Sequence, residues 1–192
     1  LKRQVACLEA NNVGDLVLRT PTGANKAKET VIAQVSNSIK DELATANKIY
    51  QEVTKGKPSP FDNRLAYISK NNKGVYSLRV SYYDGSSAKT LHQSSEPLLS
   101  PSWSPNGRYL TYVSFESVRA SIFIHDIQSN RRIKLITMKG LNAYPSFEDD
   151  SNLLVSISGE KMTSEIHRLN ILSGELTKLK TSKRADIFPR SI

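Results

Sequence analysis

Trp103-Ser104-Pro105-Asn106-Gly107-Arg108-Tyr109-Leu110-Thr111-Tyr112 is the stretch from which the fold is read. An aromatic residue precedes a turn, and an apolar–polar alternation follows it. Pro105 fixes its own φ, and Asn106-Gly107 tolerates the positive φ that a tight reversal needs. Working outward, Leu99 to Trp103 reads as an innermost strand and Tyr109 to Ser114 as a second. Ser121 to Ile127 is a third, with Ile122, Ile124 and Asp126 opposite in facing to Phe123, His125 and Ile127. Arg132 to Ile136 is an outer, more polar strand.

The same stretch recurs. Ser100-Pro101-Ser102-Trp103, Tyr144-Pro145-Ser146-Phe147 and Phe188-Pro189-Arg190-Ser191 place prolines at 101, 145 and 189, so both intervals are 44. Leu65-Ala66-Tyr67, Leu110-Thr111-Tyr112 and Leu154-Val155-Ser156 start at intervals of 45 and 44. Asp84, Asp126 and Asn170 close short apolar runs at intervals of 42 and 44. A period in the low forties with four short strands is the pattern of a propeller blade. An antiparallel sandwich would not require independent markers to keep one beat. The fold class is mainly β: about three four-stranded β-propeller blades, an incomplete propeller, preceded by a small α+β segment. Trp103 and Phe147 are expected to wedge between neighbouring blades.

Propellers close with about 4–8 blades, and residues 61–192 hold fewer. The first repeat lacks its inner strand, and the last stretch reaches only the start of another. Three readings stay open: a piece of a larger propeller, a shortened version, or an open array completed by another chain. The last would expose apolar blade faces and favour self-association.

Residues 1–57 do not follow the repeat and form one expected domain; 58–192 form the other. Val5-Ala6-Cys7-Leu8 and Leu16-Val17-Leu18 read as strands, separated by a turn and broken at Pro21-Thr22-Gly23. Thr30 to Val35 is either a strand or part of a helix starting at Ala24. Ile39, Leu43, Ala46, Ile49, Tyr50 and Val53 recur at helical spacing. Ser38 with Asp41 suggests a capping box, and Gly56 a C-cap before Pro58 and Pro60. Lys57-Pro58-Ser59-Pro60 is the linker.

The chain carries a net charge of +9, but its Lys and Arg are scattered, with short pairs such as Arg131-Arg132 and Lys183-Arg184. That distribution points away from nucleic acid, whose binders concentrate basic residues on one face, and towards acidic protein surfaces. No apolar run approaches the ~20 residues of a bilayer span. The lone Cys7 excludes an internal disulfide and reads as a small buried residue. His125 and His167 read as solvent-side residues of equivalent strands, not metal ligands. No Gly-x-Ser-x-Gly elbow, phosphate-binding glycine loop or H-E-x-x-H is present. Glu148-Asp149-Asp150 reads as a solvated turn. The expectation is a protein-binding scaffold, not an enzyme, with no cofactor and no metal.

The Trp103–Tyr112 stretch resembles the blade motif of the TolB-like propeller family, which prolyl-peptidase propellers share. Leu78-Arg79-Val80-Ser81-Tyr82-Tyr83-Asp84-Gly85 resembles the family's first blade. Ala46 to Lys57, leading to Phe61 and Arg64-Leu65-Ala66-Tyr67, resembles its helix-to-propeller junction. The resemblance implies a periplasmic, non-catalytic component of the Tol–Pal system, supporting outer-membrane integrity and envelope constriction during division. It implies a Pal-type lipoprotein partner at one channel mouth, through which the chain would be peripheral to the outer membrane. TolA binding would reside in residues before Leu1. The implied Pal-binding loops are Glu96-Pro97-Leu98-Leu99, Leu141-Asn142-Ala143-Tyr144 and Arg184-Ala185-Asp186-Ile187; the competing reading is that they only line the channel. Glu148-Asp149-Asp150-Ser151 departs from the family's Ser-Pro-Asp-Gly, and Ser191 from its aromatic, which should weaken the third blade. Alternatives are a propeller piece of a prolyl-oligopeptidase-type peptidase and a self-assembling shortened relative.

Overall fold

A computed structural model of the chain describes residues 7–10, 15–23, 26–34, 39–159, 163–179 and 186–190. The chain divides into two compact units, Leu1–Leu65 with Ser81–Ser87, and Ala66–Val80 with Ala88–Ile192. The expectations for Ser38, Arg184, Ala185 and Ser191, and for the burial of Cys7, lie outside the described residues and side chains.

In the first unit, β1 (Cys7–Ala10), β2 (Asp15–Gly23) and β3 (Lys26–Gln34) form an antiparallel sheet in the order β1-β2-β3. Two expectations resolve here. Residues 30–34 are strand, and Pro21 does not break β2. Among the described residues Pro21 has a neighbour on the β3 side only, since the described part of β1 reaches no further than Arg19. A proline without an N–H is tolerated at such an edge. Helix α1 (Ile39–Thr54) follows. Its stop uses two residues: Lys55 (φ 57°) and Gly56 (φ 85°) are both left-handed, and Gly56 N donates to Gln51 O at 2.7 Å. That six-to-one bond is a Schellman closure, with Lys55, not Gly56, in the first left-handed position.

The proline-rich connection is tied down. Ser59 is buried, its hydroxyl bonds Asn47 on α1, and it accepts from Phe61 N at 3.2 Å. A 3-10 turn, Pro60–Asp62, follows. Phe61 meets Tyr50 edge-on at 6.1 Å and Tyr83 at 5.5 Å between ring centroids.

The remaining strands form three sheets. The first holds β4 (Arg64–Lys70), β5 (Tyr76–Tyr82) and β6 (Lys89–Ser94). The second holds β7 (Leu98–Trp103), β8 (Tyr109–Ser114), β9 (Ser121–Asp126) and β10 (Arg131–Ile136). The third holds β11 (Asn142–Phe147), β12 (Asn152–Ile157), β13 (Glu165–Asn170) and β14 (Leu176–Lys178). Each is antiparallel in chain order, the arrangement of a propeller blade. Among the described residues the first has no strand in the position of β7 and β11, as the repeat implied.

Side-chain alternation in β9 fills two separate cores. Phe123 joins Leu78, Val80, Leu98, Leu110 and Tyr112, with Trp103 against them; this core lies between the first and second blades. Ile122 and Ile124 join Val113, Phe147, Leu153, Val155, Ile157 and Leu169 between the second and third. Trp103 and Phe147 therefore wedge as expected.

The third repeat corrects one alignment and one expected exposure. Trp103 pairs with Leu110 across the β7–β8 hairpin, and Phe147 with Leu153 across β11–β12. The equivalent of Leu110 is thus Leu153, not Leu154, because the turn Glu148–Ser151 is one residue shorter than Ser104–Arg108. His125 faces Leu110 as Leu169 faces Leu153. The two histidines lie in equivalent strands, β9 and β13, as expected, but His125 takes the position of Leu169 and is 2% exposed instead of solvent-side. Its Nε2 lies 3.0 Å from Asn130 Oδ1, and burial lowers its pKa.

The acidic turn carries structure. Asp149 Oδ1 accepts from Ser151 N (2.7 Å) and Asn152 N (2.9 Å), and Glu148 pairs with Arg168. Asp150 Oδ1 accepts from Asn106 N of the preceding blade at 2.9 Å. The third beat of the sequence is also structural. Asp84, Asp126 and Asn170 each use Oδ1 to accept a backbone N–H two residues on, from Ser86, Gln128 and Leu172 at 2.9, 2.9 and 3.0 Å. Short polar side chains that cap their own turn explain why Asp or Asn recurs there.

Candidate functional site

The inner strands β7 and β11 and the segment 186–190 run side by side, and their backbones share an irregularity. Ser100 (φ 53°), Tyr144 (φ 52°) and Phe188 (φ 57°), each just before a proline, are left-handed. The ladder slips at the same place, between Leu99 and Ser102 in β7 and between Ala143 and Ser146 in β11. These are β-bulges, which bend a strand and re-aim its side chains. A left-handed residue other than glycine costs about 1–3 kcal/mol, so a strain repeated at 100, 144 and 188 is held by the blade architecture.

The bulges surround a pocket of about 190 Å³ lined by Ser100, Pro101, Ser102, Tyr144, Pro145, Ser146, Phe188, Pro189 and Arg190. The rings of Tyr144 and Phe188 meet at 3.9 Å between centroids, tilted by 40°. Arg190 is the lining residue with a formal charge. Ser100, Ser102, Ser146, Phe188 and Arg190 are not among the residues expected from sequence at a site, although the proline beat that marks the repeat runs through them.

The loops leading into the inner strands are equivalently placed. Phe115 N donates to Pro97 O, and Ser158 N to Leu141 O, both at 3.1 Å. Of the predicted loop residues, Leu98 and Leu99 already belong to β7, and Asn142, Ala143 and Tyr144 to β11, because the inner strands start earlier than expected. The predicted residues separate into two groups: Leu98, Asn142 and Ala143 are buried and anchor the strand starts; Asn142 Nδ2 donates to Met138 O (2.8 Å) and Ala120 O (3.1 Å). Glu96, Leu99 and Ile187 are exposed, and Pro97, Leu141, Tyr144 and Asp186 are half-buried. Leu99 and Ile187 occupy matching positions and are 48% and 47% exposed.

A second cluster sits at the seam of the first two blades. Glu116 accepts from Ser114 Oγ (2.7 Å) and from Arg132, and its Oε1 lies 2.9 Å from His92 Nε2. The Arg132 guanidinium stacks 3.7 Å from the Phe123 ring centroid. Ser114 and His92 both bond the carboxylate and not each other, so the base-activated serine of a hydrolase is not assembled by this grouping. Burial raises the Glu116 pKa, but hydrogen bonds from Ser114, Arg132 and His92 outweigh it and hold the carboxyl below its ordinary value. Burial pushes the nearby Tyr112 up to about 12. A depressed carboxylate stabilises the fold above its unfolded pKa of ~4.3 and loses that contribution as pH falls through the folded value. Glu116→Gln is therefore expected to cost about 1 kcal/mol at pH 7, after discounting for solvent screening. The difference from wild type should vanish near pH ~3 in urea-unfolding curves recorded across pH.

Among the described residues no group of three His, Cys, Asp or Glu could hold a metal ion. No helix among them is long and apolar enough to cross a membrane.

Residues 50–190 of the 192 match the family described as TolB beta propeller domain. The chain is 36% identical over 120 residues to Tol-Pal system protein TolB of Haemophilus ducreyi, covering 62% of this chain and 26% of the relative. To the protein of that name from Legionella pneumophila it is 41% identical over 100 residues, covering 50% and 24%. The crystal structure of TolB from Acinetobacter baumannii superposes with a TM-score of 0.70 at 25% identity, covering 91% of this chain and 45% of that one. The AtxE2 isopeptidase shares the fold alone, at a TM-score of 0.51, 14% identity, and coverage of 64% and 28%. The chain thus spans about a quarter of the curated relatives' length and less than half of the solved TolB. With its three open blades and a match over most of its length, the chain belongs to the TolB β-propeller family.

Proposed function

We propose that this chain is a non-catalytic, periplasmic binding scaffold of the Tol–Pal system that engages a Pal-type lipoprotein at the channel mouth. In that role it supports outer-membrane integrity and envelope constriction, and reaches the outer membrane through its partner. The observation that carries the reading is the apolar display at the entries to the inner strands of a TolB-family propeller. Leu99 and Ile187 are half exposed at matching positions, beside the buried Leu98, Asn142 and Ala143 of β7 and β11. Large apolar side chains exposed on a rigid framework suit the centre of a protein interface.

The test is calorimetric titration of the chain with the soluble domain of a Pal-type lipoprotein. Leu99→Asp and Ile187→Asp are expected to weaken binding at least ~10-fold, the cost of desolvating a charge in an apolar contact. Both should leave thermal unfolding unchanged. Absence of heat with the folded wild-type chain would defeat the reading.

A further inference from the structure

The pocket at the bulges of the inner strands has a chemistry of its own. Its volume of about 190 Å³ is below the ~300–1,000 Å³ of drug-sized sites and equals the share of about six waters. It is the size of a side chain. One wall is the Tyr144–Phe188 pair; others carry the hydroxyls of Ser100, Ser102 and Ser146; Arg190 supplies a positive charge. Among the described residues no carboxylate lines it. Arg190 is exposed and makes no ion pair among the described residues. The chain's net charge of +9 draws acidic partners towards it.

The backbone narrows the choice of ligand. Capture of a chain-terminal carboxylate typically uses a nest of backbone N–H groups. Pro101, Pro145 and Pro189 interrupt the run of successive N–H groups that such a nest needs. The side-chain donors of the lining are three hydroxyls and a guanidinium, which grips a carboxylate through two parallel N–H bonds. We propose that the pocket is a subsite for the side-chain carboxylate of a Glu or Asp on a bound peptide segment, with Arg190 as its counter-ion. The methylene of the acidic side chain lies on the Tyr144–Phe188 pair. The three left-handed residues serve to turn these side chains inward. This goes beyond lipoprotein binding at the mouth, because it concerns a set of residues that shares only Tyr144 with the predicted mouth and admits any acidic segment that reaches the pocket.

The test uses the folded chain, labelled with ¹⁵N, and three small probes. N-acetyl-glutamate N-methylamide carries the side-chain carboxylate. N-acetyl-glutamine N-methylamide is its neutral isostere. N-acetyl-alanine carries only a terminal carboxylate. The glutamate probe is expected to shift the amides of Ser100, Ser102, Ser146 and Arg190 in a saturable way, with an affinity about tenfold above the glutamine probe. Arg190→Gln should remove that tenfold difference while leaving the rest of the amide spectrum in place, and 0.5 M salt should reduce it. Equal shifts from the glutamate and glutamine probes, stronger binding of N-acetyl-alanine, or an unaltered response in Arg190→Gln would each overturn the proposal. Because these probes never touch the lipoprotein, their failure leaves the calorimetric test of the mouth intact.

Discussion

Phe147→Ala lowers the free energy of unfolding by about 3–5 kcal/mol, the range for emptying a buried aromatic site. Phe147 is 5% exposed at the end of β11 and packs in the core with Ile122, Ile124, Leu153 and Leu169. Those neighbours come from three different strands of two blades, so no single side chain can move in to fill the space. Domains of ordinary stability hold about 5–15 kcal/mol in all, so the variant should sit close to its unfolding transition at room temperature. Urea unfolding followed by far-ultraviolet circular dichroism checks this through the midpoint, read at constant m. A loss under ~1 kcal/mol would mean that the faces of the second and third blades close up around the gap.

The second large effect is at Gly140, where the chain crosses from β10 to β11. Its φ is 84°, and a Cβ there would stand 2.3 Å from Gly159 O and 2.5 Å from Ser158 Oγ. The serine can rotate away; the carbonyl is backbone and cannot. Gly140→Ala is expected to cost about 2–3 kcal/mol from left-handed strain and the enforced shift together. Gly107→Ala is the control. Gly107 has φ 68° but open space around the added carbon, so only the conformational term of about 1 kcal/mol applies. Equal losses in the two variants, measured by thermal unfolding, would show that the contact with Gly159 is relieved without cost.

The blades were legible because their cause is periodic. Prolines at 101, 145 and 189 and the polar closers Asp84, Asp126 and Asn170 report a backbone geometry that each blade must repeat. Registration within a blade was less legible. Leu153-Leu154-Val155 offers two adjacent leucines, and only the shortened turn before Asn152 decides which one faces Phe147. The burial of His125 followed from the same ambiguity, since its counterpart is Leu169 and not the other histidine. The candidate pocket could not be foreseen. The residue before a proline is ordinarily driven to extended conformations, so Ser100, Tyr144 and Phe188 read as plain strand. Their left-handed turn is imposed by the ladders around them. The departure at Glu148-Asp149-Asp150 reads as weakness in the sequence, yet its carboxylates complete local and neighbouring turns.

The bond from Asn106 to Asp150 gives the array a direction. The reversal in the second blade is finished by an oxygen that belongs to the third, as one roof tile is pinned by the tile laid over it. Damage at Asp150 is therefore felt one blade back, in the reversal that contains Asn106, and not only where the residue was lost. An assembly linked this way gains order from each added unit, and a blade's quality depends in part on the identity of its successor.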